Sequence, residues 1–316
     1  MKSFRILSLD GGGARGLLSA RLLSNMEKQL NEISGNEMPL GRRFDLIVGT
    51  STGAILAAGL ASGMTASCLF RQYQCHLEEI FSPVSLSWWR AKYQTEPLRK
   101  VLASMLKNQK LEKLSQPHLC IVAVDAQTGR PRLYKSGYLL RNKPRLNLKL
   151  VDVVLGSAAA PTYFPLVKGE DDVYMADGGL CANNPAMVGV IDALEIFKEE
   201  RSVSKDEAAK QRGLNDVVVV SVGTGVQPGL PYSVSKKEKA GKLGWIKKGA
   251  LFEMMFMAQS DLVAQQLKLL LGERQLRLNP ILPRPVPLDN LKALQGLGGL
   301  LDLNREQVQW LRRFIL

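Results

Sequence analysis

Apolar positions along this chain follow two rhythms. Short, mostly apolar runs occur at Phe4–Leu9, Phe44–Val48, Leu119–Val124 and Val217–Val222. A near-continuous run such as the last suits a central strand buried on both faces. Between the runs, apolar residues recur every three or four positions. Leu18, Leu22, Leu23, Met26, Leu30 and Ile33 mark a helix from about Leu17 to Ile33, stopped by Ser34-Gly35-Asn36. Further helices are predicted over Ala66–Phe81, Thr95–Leu106, Val151–Ala160, Asn184–Phe197, Leu251–Leu271 and Arg305–Ile315. Thr95 and Asn184 read as N-caps, the latter with Pro185 in the first helical position. Arg132–Lys135 reads as a hairpin return and Val173–Ala176 as a short strand. Strands alternating with helices predict an α/β layered fold with a mostly parallel sheet. A chain of 316 residues fits one domain over 1–316. Within it, residues 280–316 form a distinct tail, with four prolines between Pro280 and Pro287 and then an amphipathic helix. That tail is expected to pack on the domain or cover its site.

Candidate chemistry gathers where strands run into helices. Gly49-Thr50-Ser51-Thr52-Gly53 lies between the second strand and the helical run Ala54-Ile55-Leu56-Ala57-Ala58. A serine held on so sharp a turn stands clear of its own backbone, and Gly49 and Gly53 let strand and helix approach it. Ser51 also sits at a helix N-terminus, where free N–H groups favour developing negative charge.

Gly11-Gly12-Gly13-Ala14-Arg15-Gly16 follows the first strand and fits the spacing of a dinucleotide-binding loop. That reading needs an acidic residue at the end of the second strand, but Asp45 opens that strand and Gly49 ends it. The same glycines can instead converge N–H groups on one point as an oxyanion hole. Arg15 would order this loop or offset the oxyanion charge. A plain strand-to-helix turn is the third reading.

A nucleophilic serine needs a base. The chain has two histidines, His76 and His118, and neither follows a candidate acid as a Ser…Asp…His order requires. Asp177, in Met175-Ala176-Asp177-Gly178-Gly179, stands at a strand end beside glycines that permit close approach. Burial would raise its pKa and make it a better base; its simpler use is as a turn residue.

Composition adds three points. At 46% hydrophobic and 22% charged, the chain can form a sizeable core. A net charge of +13 suits an anionic partner, either nucleic acid or an acidic membrane surface, or simply a well-solvated surface. Cys68, Cys75, Cys120 and Cys181 form no Cys-x-x-Cys pair, and the chain enters its first strand without a secretory pattern. A reduced, cytoplasmic setting is expected, with no transmembrane helix.

Taken in order, Asp10-Gly11-Gly12-Gly13-Ala14-Arg15-Gly16, Gly49-Thr50-Ser51-Thr52-Gly53 and Asp177-Gly178-Gly179 resemble the patatin-like phospholipases. Gly156-Ser157-Ala158-Ala159-Ala160-Pro161, Asn183-Asn184-Pro185 and Ser221-Val222-Gly223-Thr224-Gly225 match as well. The similarity runs from Phe4 to about Leu278. It implies a three-layer α/β/α fold and a Ser–Asp dyad that hydrolyses acyl esters of lipids, with no metal or organic cofactor. By resemblance, Ser51 is the nucleophile, Asp177 the base, and Gly11, Gly12, Gly13 and Arg15 the oxyanion site. Some bacterial members are effectors switched on by cyclic nucleotides in antiphage defence, so a cyclic dinucleotide activator is expected and a nucleic acid polymer is not. An anionic phospholipid surface on the inner face of the membrane is the expected partner. Lys236–Lys248, with six lysines and Trp245, and Trp88-Trp89 beside Arg90 are candidate contacts with it. Two other function classes remain open: a nucleotide-binding module built on the Gly11–Gly16 loop, and a lipid-binding protein without catalysis.

Overall fold

The computed structural model describes residues 3–83, 90–138, 147–203, 211–228, 250–294, 296–297 and 301–316. Lys236–Lys248 and Trp88-Trp89 lie outside the described residues. One sheet organises the rest. Its strands are β1 (Phe4–Leu9), β2 (Leu46–Thr50), β3 (His118–Asp125), β4 (Pro131–Lys135), β5 (Val167–Lys168), β6 (Tyr174–Asp177), β7 (Val217–Val222) and β8 (Gln275–Leu278). Their order is β5-β6-β3-β2-β1-β7-β8, with β4 paired to β3 off this path. Neighbours from β3 through β2, β1 and β7 to β8 are all parallel. The pairs made by β4, β5 and β6 are antiparallel. The sheet therefore has a parallel centre and an antiparallel flank.

The apolar runs are nearly unbroken because both faces are covered. Alternate residues divide between two cores, as the two-residue period of a strand requires. Leu7, Ile47, Leu119, Ile121, Val218 and Val220 enter one core, and Ile6, Leu46, Val48, Cys120, Val217 and Val219 the other. The first face carries α1 (Gly16–Ser34), α2 (Thr52–Ala61), α3 (Ala66–Ile80), α4 (Thr95–Leu106) and α5 (Leu150–Ser157). After the single turn α6 (Gly179–Ala182), the second face carries α7 (Ala186–Val203) and α8 (Ala250–Leu271). This is the α/β architecture the sequence predicts.

Three helix ends differ from expectation. Gln94, not Thr95, occupies the cap position of α4, without a side-chain bond. α5 stops at Ser157 because the next residues turn: Thr162 has a positive φ of 72°, and Tyr163 and Phe164 N–H both donate to the Ala160 carbonyl. α7 continues to Val203, past Phe197. At its start, Asn184 Oδ1 accepts from Ala186 N–H at 3.2 Å.

The C-terminal tail packs into the first core. Leu282, Val286, Leu294, Leu311 and Ile315 all belong to it. Asn304 caps the last helix, α9 (Arg305–Phe314), in a reciprocal pair with Gln307. Trp310 Nε1–H donates to the Glu273 carbonyl at 2.7 Å, tying α9 to the segment before β8. Leu311 is 1% exposed. Leu311→Ala should lower unfolding free energy by about 2–5 kcal/mol in urea titration, as large-to-small core changes do. A loss under about 0.5 kcal/mol, typical of surface changes, would show that the tail lies outside the cooperative core.

Candidate active site

β2 ends at Thr50 and α2 begins at Thr52, so Ser51 is the whole turn between them. Its φ of 55° and ψ of −125° lie in a region that residues with a side chain rarely occupy. The flanking glycines make the turn possible. A Cβ on Gly49 would lie 2.5 Å from the Gly53 carbonyl oxygen, and one on Gly53 would lie 2.1 Å from the Leu9 carbonyl oxygen. Only glycine lets the start of α2 press against the ends of β1 and β2.

A partner that sequence reasoning missed holds the turn. Ser51 N–H donates to Ser157 Oγ at 2.9 Å, and the Ser157 hydroxyl donates to the Val122 carbonyl at 2.5 Å. Its signal in sequence is its place in the Gly156–Pro161 block, which gives it no role of its own.

Asp177 ends β6, which runs antiparallel to β3 with Ala123 opposite Asp177. That pairing brings its carboxylate to Ser51. Ser51 Oγ donates to Asp177 Oδ2 at 2.6 Å, and Gly179 N–H donates to Asp177 Oδ1 at 2.7 Å. Asp177 is 1% exposed and Ser51 8%. Burial pushes the Asp177 carboxyl up to about 6, against the opposing pull of the bonds from Ser51 and Gly179. At neutral pH it is ionised, yet it is a stronger base than a free aspartate. A carboxylate at this distance can take the serine proton without a histidine.

The glycine loop divides its work. Gly12 and Gly13 line the same cleft as Ser51 and Asp177, and neither N–H is engaged by an acceptor among the described residues. They are free to meet an oxyanion. Gly11 is not: its N–H donates to the Asn183 carbonyl at 3.0 Å, and its own carbonyl accepts from the Thr224 hydroxyl at 3.1 Å. The expectation for Gly11 as an oxyanion donor is therefore corrected. So is the one for Arg15 as a neighbour of the oxyanion. Its buried guanidinium donates to Glu253 Oε2 and to the Val286 carbonyl, both at 3.2 Å, and does not line the Ser51 cleft. Arg15 orders the loop from behind. From the tail, the Leu288 carbonyl accepts from Ala14 N–H at 2.7 Å.

From Ser51 the cleft runs between α3 and α4, walled by Leu77, Ile80, Leu98, Val101, Leu102 and Met105. Tyr163, Phe164, Phe256 and Leu288 complete its walls. These side chains suit a hydrocarbon chain whose head group reaches the serine.

Other candidates fall elsewhere. His76, on α3, lies 3.7 Å from Glu79. His118 pairs with Leu46, four positions before Thr50 along β2, and stacks on Tyr138 at 4.6 Å. Asp45 accepts from Arg5 N–H at 2.7 Å just before β2, and β2 ends in Gly49-Thr50, so the acidic residue that a dinucleotide-binding loop needs at the end of its second strand is not there. All four cysteines are free. Among the described residues no cluster of three His, Cys, Asp or Glu side chains could hold a metal ion. Nor is any described helix long and apolar enough to cross a membrane.

Comparison with known proteins shows the family. The family model for patatin-like phospholipases matches residues 7–190, more than half of the 316-residue chain. The chain is 37% identical over 256 residues to a cGAMP-activated phospholipase of Vibrio cholerae, covering 77% of this chain and 69% of that one. It is 35% identical over 242 residues to a cGAMP-activated phospholipase of Escherichia coli, covering 73% and 64%. It is 32% identical over 270 residues to patatin-like protein 1 of Arabidopsis thaliana, covering 76% and 64%. The chain thus spans about two thirds of the length of these curated relatives. By family model and by relatives alike, this chain belongs to the patatin-like phospholipases, a family of hydrolases.

Proposed function

We propose that this protein hydrolyses acyl esters of membrane phospholipids, with Ser51 as nucleophile and Asp177 as base, and that a cyclic dinucleotide switches it on in bacterial antiphage defence. The observation that carries the hydrolytic reading is the 2.6 Å contact between Ser51 Oγ and Asp177 Oδ2 at the head of an apolar cleft. As Oγ attacks the ester carbonyl, Asp177 takes its proton. The oxyanion forms beside the N–H groups of Gly12 and Gly13, where one well-aimed donor lowers a barrier by about 3–4 kcal/mol. Asp177 then gives the proton to the departing lysophospholipid alkoxide, leaving an acyl group on Ser51. Water, deprotonated by Asp177, attacks the acyl-enzyme. The oxyanion collapses, Ser51 regains its proton, and the fatty acid leaves.

The names of the two bacterial relatives support activation by a cyclic dinucleotide. The net charge of +13 supports work at an anionic surface, on the cytoplasmic face of the membrane.

Fatty-acid release from anionic phospholipid vesicles, with cyclic GMP–AMP present, tests the reading. Ser51→Ala and Asp177→Asn should each reduce release by at least about a thousandfold, and the double variant should be little worse than either single, as for groups that act as a unit. Equal release by wild type and both variants would sink the dyad. Vesicle binding by wild type without any release would favour a lipid-binding protein.

The pH profile gives a second check. The carboxylate, not the acid, accepts the serine proton. Release should therefore fall as pH drops through about 6, the region to which burial raises Asp177. An acid limb near 4, the range of a free aspartate, would show that the working base is not this buried group.

A further inference from the structure

The sheet has a second crevice that the dyad does not use. From β1 the chain steps to β2 and then β3 on one side, whereas β7 and β8 lie on the other. The helix leaving β1, α1, covers the first face, and α8, which joins β7 to β8, covers the second. Connections that leave adjacent parallel strands toward opposite faces open a crevice at the carboxyl ends of the strands. In open α/β sheets, ligands bind at such a point. Here a cavity of about 470 Å³ lies at that point, within the size range of small-molecule sites, roughly 300–1,000 Å³. Asp10, Thr224 and Asn279, which follow β1, β7 and β8, line it. It shares one lining residue, Phe256, with the Ser51 cleft.

The lining indicates the ligand chemistry. Arg277 holds Asp10 through two hydrogen bonds, at 2.9 and 2.5 Å, and Arg15 is paired with Glu253, so the guanidinium charges are spent on carboxylates. Paired charges favour an uncharged hydrogen-bonding group over a phosphate. Asn183, Asn279, Thr224 and Ser260 give the lining an uncharged polar side, and Phe256 and Met257 give it apolar faces, a mixture that suits a base. Asn183 is 6% exposed; its Nδ2 donates to Ser260 Oγ at 2.9 Å, and its Oδ1, which a Cβ on Gly11 would meet at 2.4 Å, has no hydrogen-bond partner among the described residues.

We infer that this crevice takes one base of a cyclic dinucleotide and that the ligand sets the oxyanion donors through Asn183 and Thr224. The inference rests on the activation reading above. Asn183 and Thr224 both line the crevice and hold Gly11, immediately before Gly12: the Asn183 main-chain carbonyl accepts from Gly11 N–H, and the Thr224 hydroxyl donates to the Gly11 carbonyl. A ligand that presses on the Thr224 side chain and on the Asn183 segment moves or fixes the donor pair without entering the Ser51 cleft. The phosphates stay at the mouth, drawn by the field of a chain carrying +13.

Calorimetric titration of the whole chain with cyclic GMP–AMP, cyclic UMP–AMP and cyclic di-AMP tests this. Two variants fill the crevice from opposite walls, Ala264→Trp from α8 and Val226→Trp from the turn after β7. Wild type should bind at least one of the three, and both variants should bind it about tenfold or more weakly, while Ser51→Ala binds as wild type does. Binding by both variants within about twofold of wild type, a few tenths of a kcal/mol, would overturn this site and leave activation standing. No binding by wild type would overturn the site and activation together. Fatty-acid release without nucleotide in that case would leave hydrolysis by Ser51 and Asp177 intact.

Discussion

One hydrogen bond, from Ser51 Oγ to Asp177 Oδ2, joins residues 126 positions apart, and much of the fold serves to bring them within 2.6 Å. Neither group reaches the other from its own segment. Ser51 is thrust out by a strained turn that exists because glycines at 49 and 53 remove the side chains that would collide. Asp177 arrives on a short strand that pairs with β3 in the opposite sense to the sheet's parallel centre. Ser157 then ties the Ser51 backbone to β3 through the Val122 carbonyl. Rigid elements hold both partners, so the contact is set before any ligand enters.

The same burial that fixes the pair also tunes it. A carboxylate in bulk water is too weak a base to take a proton from a hydroxyl. With 1% of Asp177 exposed, desolvation raises its basicity, and bonds from Gly179 and Ser51 keep it ionised. The proposed dyad asks for no histidine, and the chain's two histidines lie outside the Ser51 cleft.

How much of this was legible depended on how local each signal was. The strands could be read because helices cover both faces and force their sequences to be nearly all apolar. The Ser51 turn could be read because its steric demand falls on residues two positions away. Of the two roles open to Arg15, only ordering the loop fits the structure, and sequence could not choose between them because its partners, Glu253 and Val286, lie 238 and 271 positions along the chain. Gly11 was misread for a similar reason: whether an N–H is free depends on which carbonyl faces it, here that of Asn183. Helix ends slipped by a few residues where a turn, rather than proline, set the stop, as at Ser157.

The grip of residues 286–288 on the glycine loop bears on how the protein comes into being. A chain growing from the ribosome acquires Ser51 early and Asp177 later, but Ala14 N–H and the Arg15 guanidinium find the Leu288 and Val286 carbonyls only once residues 286–288 have emerged. Until then the loop that carries Gly12 and Gly13 has no fixed backing on that side. A product terminated before Val286 therefore carries Ser51 and Asp177 but lacks this backing for the glycine loop.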